Sequence, residues 1–247
     1  MNAYIITGAS KGLGEALAGQ LLGEHAHVIG VARTASDRLS AEAARSGGQY
    51  NFIRCDLAAT DGLGRLMEQC VGLIDPNRTE QIWLINNAAV VEPLSPIERC
   101  GPDEVGRHIA VNVTAPMMLT SHFIRLTDGL ATRRHVVNVS SGSGRYPAPG
   151  MSVYCSGKAA LNMFTKCVAL EQQGGANPVR IVSIAPSMVD TDMQAHTRGQ
   201  AAEDLPIVDY FIGAHAGGRL LTTDKAAAKV IRLMRKESVL SGAIASI

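Results

Sequence analysis

The stretch Ile5-Ile6-Thr7-Gly8-Ala9-Ser10-Lys11-Gly12-Leu13-Gly14-Glu15-Ala16-Leu17-Ala18-Gly19-Gln20-Leu21-Leu22 decides the fold. An apolar strand-like run, Ala3–Thr7, enters a G-x-x-x-G-x-G turn, and a helical pattern leaves it over Gly14–Leu22. Glycine permits a tight turn and lets the backbone approach a pyrophosphate closely. The helix that follows presents free N–H groups and the positive end of its dipole to such an anion. A strand before and a helix after separate a dinucleotide-binding turn from a chance cluster of glycines. Gly8, Ser10, Lys11, Gly12, Leu13 and Gly14 are the candidate phosphate contacts.

The same alternation continues outward from this turn. Strands are predicted at His27–Ala32, Tyr50–Cys55, Gln81–Asn86, His135–Ser140, Val179–Ala185 and Gly242–Ile247. Helices are predicted at Asp37–Arg45, Thr60–Val71, Asp103–Leu126, Tyr154–Gln172 and Lys225–Lys236. Runs such as HVVNV and IVSIA are apolar almost throughout, as strands buried on both faces of a parallel sheet require. Strand–helix alternation then predicts an α/β, doubly wound Rossmann fold. Right-handed crossovers put the strand C-termini on one edge, where ligands bind. Only Ser187–Thr223 lacks this regularity. It reads equally as a substrate loop or lid and as short surface helices joined by glycine-rich turns.

Composition sets the outer bounds. The 247 residues are expected to form one domain spanning 1–247, large enough to bury a core without disulfides or metals. Lys plus Arg number 23 against 22 for Asp plus Glu, so nothing in the charge points to nucleic acid or an anionic membrane. No apolar run approaches the ~20 residues of a membrane span, and MNAYIITGAS lacks the basic and long apolar regions of a signal peptide. Cys55, Cys70, Cys100, Cys155 and Cys167 are odd in number and include no C-x-x-C pair, which fits reduced thiols in a cytoplasmic protein. The seven histidines are scattered, so no catalytic metal is expected.

Cofactor preference is read at the end of the second strand. An NAD site usually places an acid there to hold the ribose 2′-hydroxyl. Here Arg33 follows the strand, and its planar fork suits a 2′-phosphate. Lys11 offers a second cation, and Asp37 reads as an acid in the first turn of a helix. Two cations without a strand-end carboxylate predict NADP(H). Asp56-Leu57 follows the third strand, where Asp56 either meets adenine or caps the helix near Thr60. Asn86-Asn87-Ala88-Ala89 closes the fourth strand, a place where asparagines tie neighbouring loops and small residues face a cofactor.

Tyr154 and Lys158 stand at i and i+4 and share a helix face. The ammonium is expected to lower the phenol from its ordinary value near ~10. Reaching ~7 needs about 4 kcal/mol of differential stabilisation. Tyr154 would then give a proton to a carbonyl oxygen as hydride arrives at carbon. Ser141, thirteen residues earlier and just past the fifth strand, is placed to polarise that carbonyl. Asn112, in the long helix before that strand, is placed to anchor a water or backbone relay to Lys158.

TGASKGLG, NNAA, Asn112, Ser141, YCSGK and IAPSMVDTDM occur in an order that resembles the short-chain dehydrogenase/reductase family over essentially the whole chain. The resemblance implies a seven-stranded sheet and an Asn112–Ser141–Tyr154–Lys158 tetrad, with Lys158 also holding the nicotinamide ribose. It implies that the segment after Pro186, with Val189 and Thr191, meets the carboxamide side of the cofactor and the substrate. It also implies a homodimer or homotetramer packed through the helices that carry Asn112 and Tyr154. Within the family, IITGASKGLGEALAGQLL, LINNAAVVEPLSPIE, YCSGKAALNMFTKCVALE and PSMVDTDMQA resemble the branch of sepiapterin reductases and bacterial benzil reductases. This implies NADPH-dependent reduction of an aromatic α-diketone such as benzil to (S)-benzoin. Sepiapterin or pteridine reduction and non-catalytic NADP sensing are the alternatives. Two departures stand out. Ser187 replaces the glycine that usually follows Pro186, and SGAIASI ends the chain without the acid that anchors a pterin. Met151, Val153, Met188 and Val189 are the candidate apolar wall.

Overall fold

A computed structural model describes residues 1–247. Seven strands form one parallel sheet in the order β3-β2-β1-β4-β5-β6-β7. They are β1 (Asn2–Thr7), β2 (His27–Ala32), β3 (Gln49–Arg54), β4 (Gln81–Asn86), β5 (Arg133–Val139), β6 (Arg180–Ala185) and β7 (Ile244–Ser246). All seven predicted strands are present, with ends displaced by one or two residues; β7 is shorter than the apolar run that announced it.

The sheet is buried on both faces because its residues alternate between two cores. Tyr4, Ile6, Val28, Trp83, Ile85, Val137 and Val182 face one side. There they meet Leu17 and Leu21 of α1 (Gly12–Leu22), Leu39 of α2 (Asp37–Ser46), and Val230 and Ile231 of the last helix. Ala3, Ile5, Ile29, Leu84, Val136 and Ile181 face the other side, against Leu66 and Met67 of α3 (Leu63–Gly72), Leu119 and Phe123 of the helix after Thr114, and Val168 of the helix that carries Tyr154. Ser36 caps α2 by accepting from the Leu39 N–H, and Gly47 ends it at φ 73°. A short 3₁₀ turn at Thr60–Gly62 precedes α3, so the helix proper starts later than the pattern implied.

The long helix expected over Asp103–Leu126 is interrupted. α4 (Pro102–Ile109) and α5 (Ala115–Leu126) flank a widened π-type turn at Ala110–Thr114. Chemistry explains the break. Pro116 has no N–H, so the α-helical bond to the Asn112 carbonyl cannot form. The turn opens at the residue singled out for a relay, and such bulges frequently mark functional positions.

α6 (Ser152–Glu171) carries Tyr154 and Lys158 on its buried side. The irregular segment contains two short helices, α7 (Asp192–Arg198) and α8 (Val208–Ala216), before α9 (Thr223–Met234). Thr191 and Thr222 cap α7 and α9 through their hydroxyls. A lone parallel bridge, Val189 to Leu221, ties the two ends of this segment together. No helix is long and apolar enough to cross a membrane.

Candidate active site

The winding direction reverses between β1 and β4, and a crevice opens beyond the C-terminal ends of these strands. The glycine turn after β1 forms one lip. Gly8 and Gly12 adopt φ of 69° and 59°, a region that glycine occupies without steric cost. A Cβ on Gly14 would lie 2.1 Å from the Gly8 carbonyl oxygen, so the turn closes only around a bare α-carbon.

Asn87 fixes the opposite lip to this turn. Its Nδ2 donates to the Thr7 carbonyl at 2.9 Å and to the Gly8 carbonyl at 3.3 Å. The Thr7 hydroxyl oxygen accepts from the Asn87 and Ala88 N–H groups at 3.0 and 3.1 Å. The NNAA motif therefore clamps two strand ends while its alanines line the void.

The cavity measures about 560 Å³. Its walls include Gly8, Ser10, Lys11, Gly12, Leu13, Gly14, Arg33, Asp56, Leu57, Asn87, Ala88, Ser141, Tyr154, Lys158, Pro186, Val189 and Thr191. Thus every residue assigned to the cofactor from sequence lines one cavity, together with three of the four expected catalytic residues. Asn112 stands behind the wall, 1% exposed. Met151 and Met188 also line the void, whereas Val153 is buried in α6 away from it.

Individual contacts refine these expectations. Arg33 is exposed and forms no ion pair, leaving its charge free. Lys11 is already engaged, with Nζ 2.8 Å from Asp192 Oδ2. Asp56 does not cap a helix. One oxygen accepts from the Ala58 N–H at 3.1 Å, and the other lies 3.7 Å from Arg107.

At the inner end, Ser141 Oγ accepts from the Ser143 N–H at 3.2 Å, and its hydroxyl faces the Tyr154 oxygen. Lys158 Nζ donates to the Val139 carbonyl at 2.9 Å and lies 5.7 Å from the Tyr154 ring centre. Burial lowers Lys158 to about 8. The expectation that Tyr154 is pulled down by this ammonium is not met. Burial pushes the phenol up to about 12, the Ser141 hydrogen bond opposes that only in part, and Cys155 adds to the rise. Desolvation dominates because burial penalises the phenolate more than the Ser141 bond favours it.

The side chain of Asn112 is saturated. Oδ1 accepts from the Val90 N–H at 2.9 Å, and Nδ2 donates to the Val90 carbonyl at 2.7 Å. The second amide hydrogen meets His108 Nε2 at 2.9 Å. A relay from Asn112 is left to its backbone carbonyl, the group whose α-helical partner Pro116 removes.

Some contributors were not singled out from sequence. His108 is fully buried between Asn112 and Tyr154. Its spacing of four from Asn112 was the available signal. Asn162, four residues beyond Lys158, accepts from Ser140 and Ser183, each at 2.8 Å, and donates to the Gly144 carbonyl. It locks α6 onto β5 and β6 and thereby sets the height of Tyr154 above the sheet.

A third apolar cluster roofs Tyr154. Val91, Leu94, Met151, Leu205 and Val208 pack with the phenol ring, and Met193, Ile207 and Phe211 support them. The irregular segment thus contributes the ceiling of the inner cavity.

Comparison with known proteins agrees with this geometry. Residues 2–202 match the family model described as short chain dehydrogenase. The chain is 38% identical over 244 residues to a benzil reductase ((S)-benzoin forming) of Bacillus cereus, covering 99% of this chain and 98% of that protein. It is 35% identical to a protein of the same name from Bacillus subtilis (strain 168), covering 96% and 94% of the two chains. Sepiapterin reductase of Meriones unguiculatus is 31% identical, covering 97% and 93%. The crystal structure of the KRED1-Pglu enzyme superimposes with a TM-score of 0.82 at 30% identity, over 100% of both chains.

Proposed function

From the premise that the chain belongs to the short-chain dehydrogenase family, we propose that it is an NADPH-dependent reductase of aromatic α-diketones, converting a compound such as benzil to (S)-benzoin. The observation that carries this reading is Tyr154, held protonated under an apolar roof in the cavity that the glycine turn also lines.

The residues fit the cofactor. The glycine turn is a cradle that a Cβ would fill, and Arg33 is an unpaired cation at the end of β2. Arg33 would hold the 2′-phosphate, Gly12–Gly14 the pyrophosphate, and Lys158 the nicotinamide ribose. Bound NADPH supplies the hydride.

The protein's own groups manage the carbonyl oxygen. Ser141 turns its hydroxyl hydrogen from the Tyr154 oxygen to that oxygen and polarises the bond. As carbon gains hydride, the oxygen takes the Tyr154 proton and the C=O becomes CH–OH. A phenol raised to about 12 is in its acid form at neutral pH, which suits reduction without prior ionisation. The Lys158 ammonium then faces the phenolate left behind, and the Asn112 carbonyl is the remaining group able to hold a water that refills the proton.

The apolar cavity wall of Val91, Met151, Met188, Val189, Met193 and Phe211 favours a substrate with aryl groups beside the carbonyls. No residue of Ser241–Ile247 lines the cavity. We further propose a cytoplasmic homodimer or homotetramer. Exposed Ile109 on α4, Met118 on α5, and Met163 and Leu170 on α6 support pairing of copies through those helices.

Loss of NADPH absorbance with benzil tests the reading, with sepiapterin and NADH as controls. Tyr154→Phe is expected to lower kcat by ~10²-fold or more while NADPH still binds. Turnover of sepiapterin alone would move the assignment to the pteridine reductases. Tight NADPH binding without turnover of any carbonyl would favour a sensor.

A further inference from the structure

His108 occupies a place where two elements and a loop meet, and each of its edges has a defined partner. Nδ1 lies 2.6 Å from the Glu92 carbonyl oxygen. That oxygen can only accept, so Nδ1 carries the hydrogen and the ring is the Nδ1–H tautomer. Nε2 is left as a lone-pair acceptor, and the Asn112 amide hydrogen fills it at 2.9 Å. The ring meets Tyr154 edge to face, with centres 5.9 Å apart and planes at 82°. Gly157, one turn along α6 from Tyr154, leaves the space the imidazole uses; a Cβ there would lie 2.9 Å from Nε2.

These contacts have a common consequence. Asn112 pins Val90, His108 pins Glu92, and both residues belong to the loop after β4 whose Ala88–Val91 segment walls the cavity. The same imidazole braces the face of the proton donor. We propose that neutral His108 is a positioning residue for this reaction, aligning the Tyr154 phenol and the 88–92 loop through the Asn112 amide. The proposal rests on the reductase reading for its kinetic consequence, but not for the tautomer it requires.

Protonation at Nε2 would undo the arrangement, because an N–H would then point at the Asn112 N–H. The groups facing the ring divide as follows. Lys158 opposes a second positive charge, the Glu92 carboxylate favours one, and the Tyr154 phenol is neutral. The Glu92 carboxylate is itself held 3.2 Å from His196. Burial outweighs the rest and keeps His108 neutral below its ordinary range. Activity is therefore retained at neutral pH and lost as falling pH forms the imidazolium.

The test compares wild type, His108→Leu and His108→Gln in kcat across the acid range, with NADPH affinity measured by nucleotide fluorescence. Leucine fills the space but accepts nothing. Glutamine retains an acceptor and a donor but does not titrate. The expected result is roughly a tenfold loss of kcat in His108→Leu with NADPH affinity unchanged. His108→Gln should recover much of kcat, and the wild-type acid limb should be absent from both variants. Equal acid limbs in all proteins, or parallel loss of NADPH affinity and thermal stability in both variants, would overturn the proposal. Imidazole ¹⁵N spectra of the unaltered chain, assigned by the resonance missing from His108→Gln, decide the matter even where no carbonyl is turned over. A neutral Nδ1–H ring whose Nε2 signal shifts in Asn112→Ala supports the proposal; an imidazolium or Nε2–H ring at neutral pH defeats it.

Discussion

Lys11 Nζ and Asp192 Oδ2 meet at 2.8 Å across 181 residues of chain, joining the glycine turn to the first turn of α7. Both side chains are largely exposed, so the contact is screened by salt and open to competition. A phosphate arriving at the turn would compete with Asp192 for the same ammonium. Asp192→Asn is therefore expected to lower KM for NADPH by roughly two- to fivefold at low ionic strength, with the gain shrinking as salt is added. Arg33 has no such competitor. Arg33→Ala should raise KM for NADPH about tenfold or more and leave KM for NADH nearly unchanged. Steady-state kinetics with both nucleotides checks the pair. An equal rise for NADPH and NADH would place Arg33 on adenine instead of the 2′-phosphate.

Ser187, where the family usually has glycine, adopts a backbone that suits glycine. Its φ is 62°, in the left-handed region where a Cβ is strained. Ser187→Gly should relieve that strain, offset in part by the greater freedom of glycine in the unfolded chain. The net gain is on the order of 0.5–1 kcal/mol, or about 1–4 °C in Tm. Differential scanning calorimetry of the two proteins checks it, and an unchanged or lower Tm would show that the serine is at ease.

Much of this molecule could be read before folding because its signals are local. The turn around Gly8–Gly14 announces itself by strand, glycines and helix in one stretch, and Tyr154 and Lys158 share a face by spacing alone. Two of the failures are non-local and one is local. The Lys11–Asp192 pair depends on the path of a segment without periodicity, so Lys11 looked free when it was not. The break at Ala110–Thr114 lay inside a continuous helical pattern, and only the missing N–H of Pro116 hinted at it. Tyr154 was expected to fall because its neighbour in sequence is a cation. It rises because the roof over it is built from residues 91–94 and 205–211, which sequence spacing does not bring near.

His135 sets a limit on stability in acid. Its ring stacks on Trp83 with centres 3.9 Å apart and planes 12° from parallel, and neither ring nitrogen has a partner. Burial, then Arg180 and Arg133, lowers it to about 4. The folded chain thus holds this histidine neutral, whereas the unfolded chain binds a proton below ~6.5. Its contribution is fully present above that value and is lost as pH falls toward about 4. Urea unfolding followed through Trp83, the single tryptophan, should show a midpoint that drops between neutral and mildly acidic pH. His135→Phe retains the stack and should lessen the drop. A variant as acid-sensitive as wild type would assign the loss to other groups.

Lys158 sets the alkaline limit of activity. Burial lowers it to about 8, whereas Tyr154 stays protonated to about 12. Below about 8 the ammonium is charged and available to a ribose hydroxyl and to the phenolate formed during reduction. Above it the amine is neutral, and both interactions weaken. For the free enzyme, kcat/KM for NADPH should therefore fall roughly tenfold per pH unit on the alkaline side of about 8. The tyrosine cannot be the source of that limb, since its own ionisation lies far higher. Lys158→Arg keeps the charge across the range and should flatten the profile at a lower absolute rate, because the guanidinium is wider than the ammonium the pocket holds. The same alkaline midpoint in wild type and Lys158→Arg would remove Lys158 as its origin and point to a group on the nucleotide or elsewhere in the cavity.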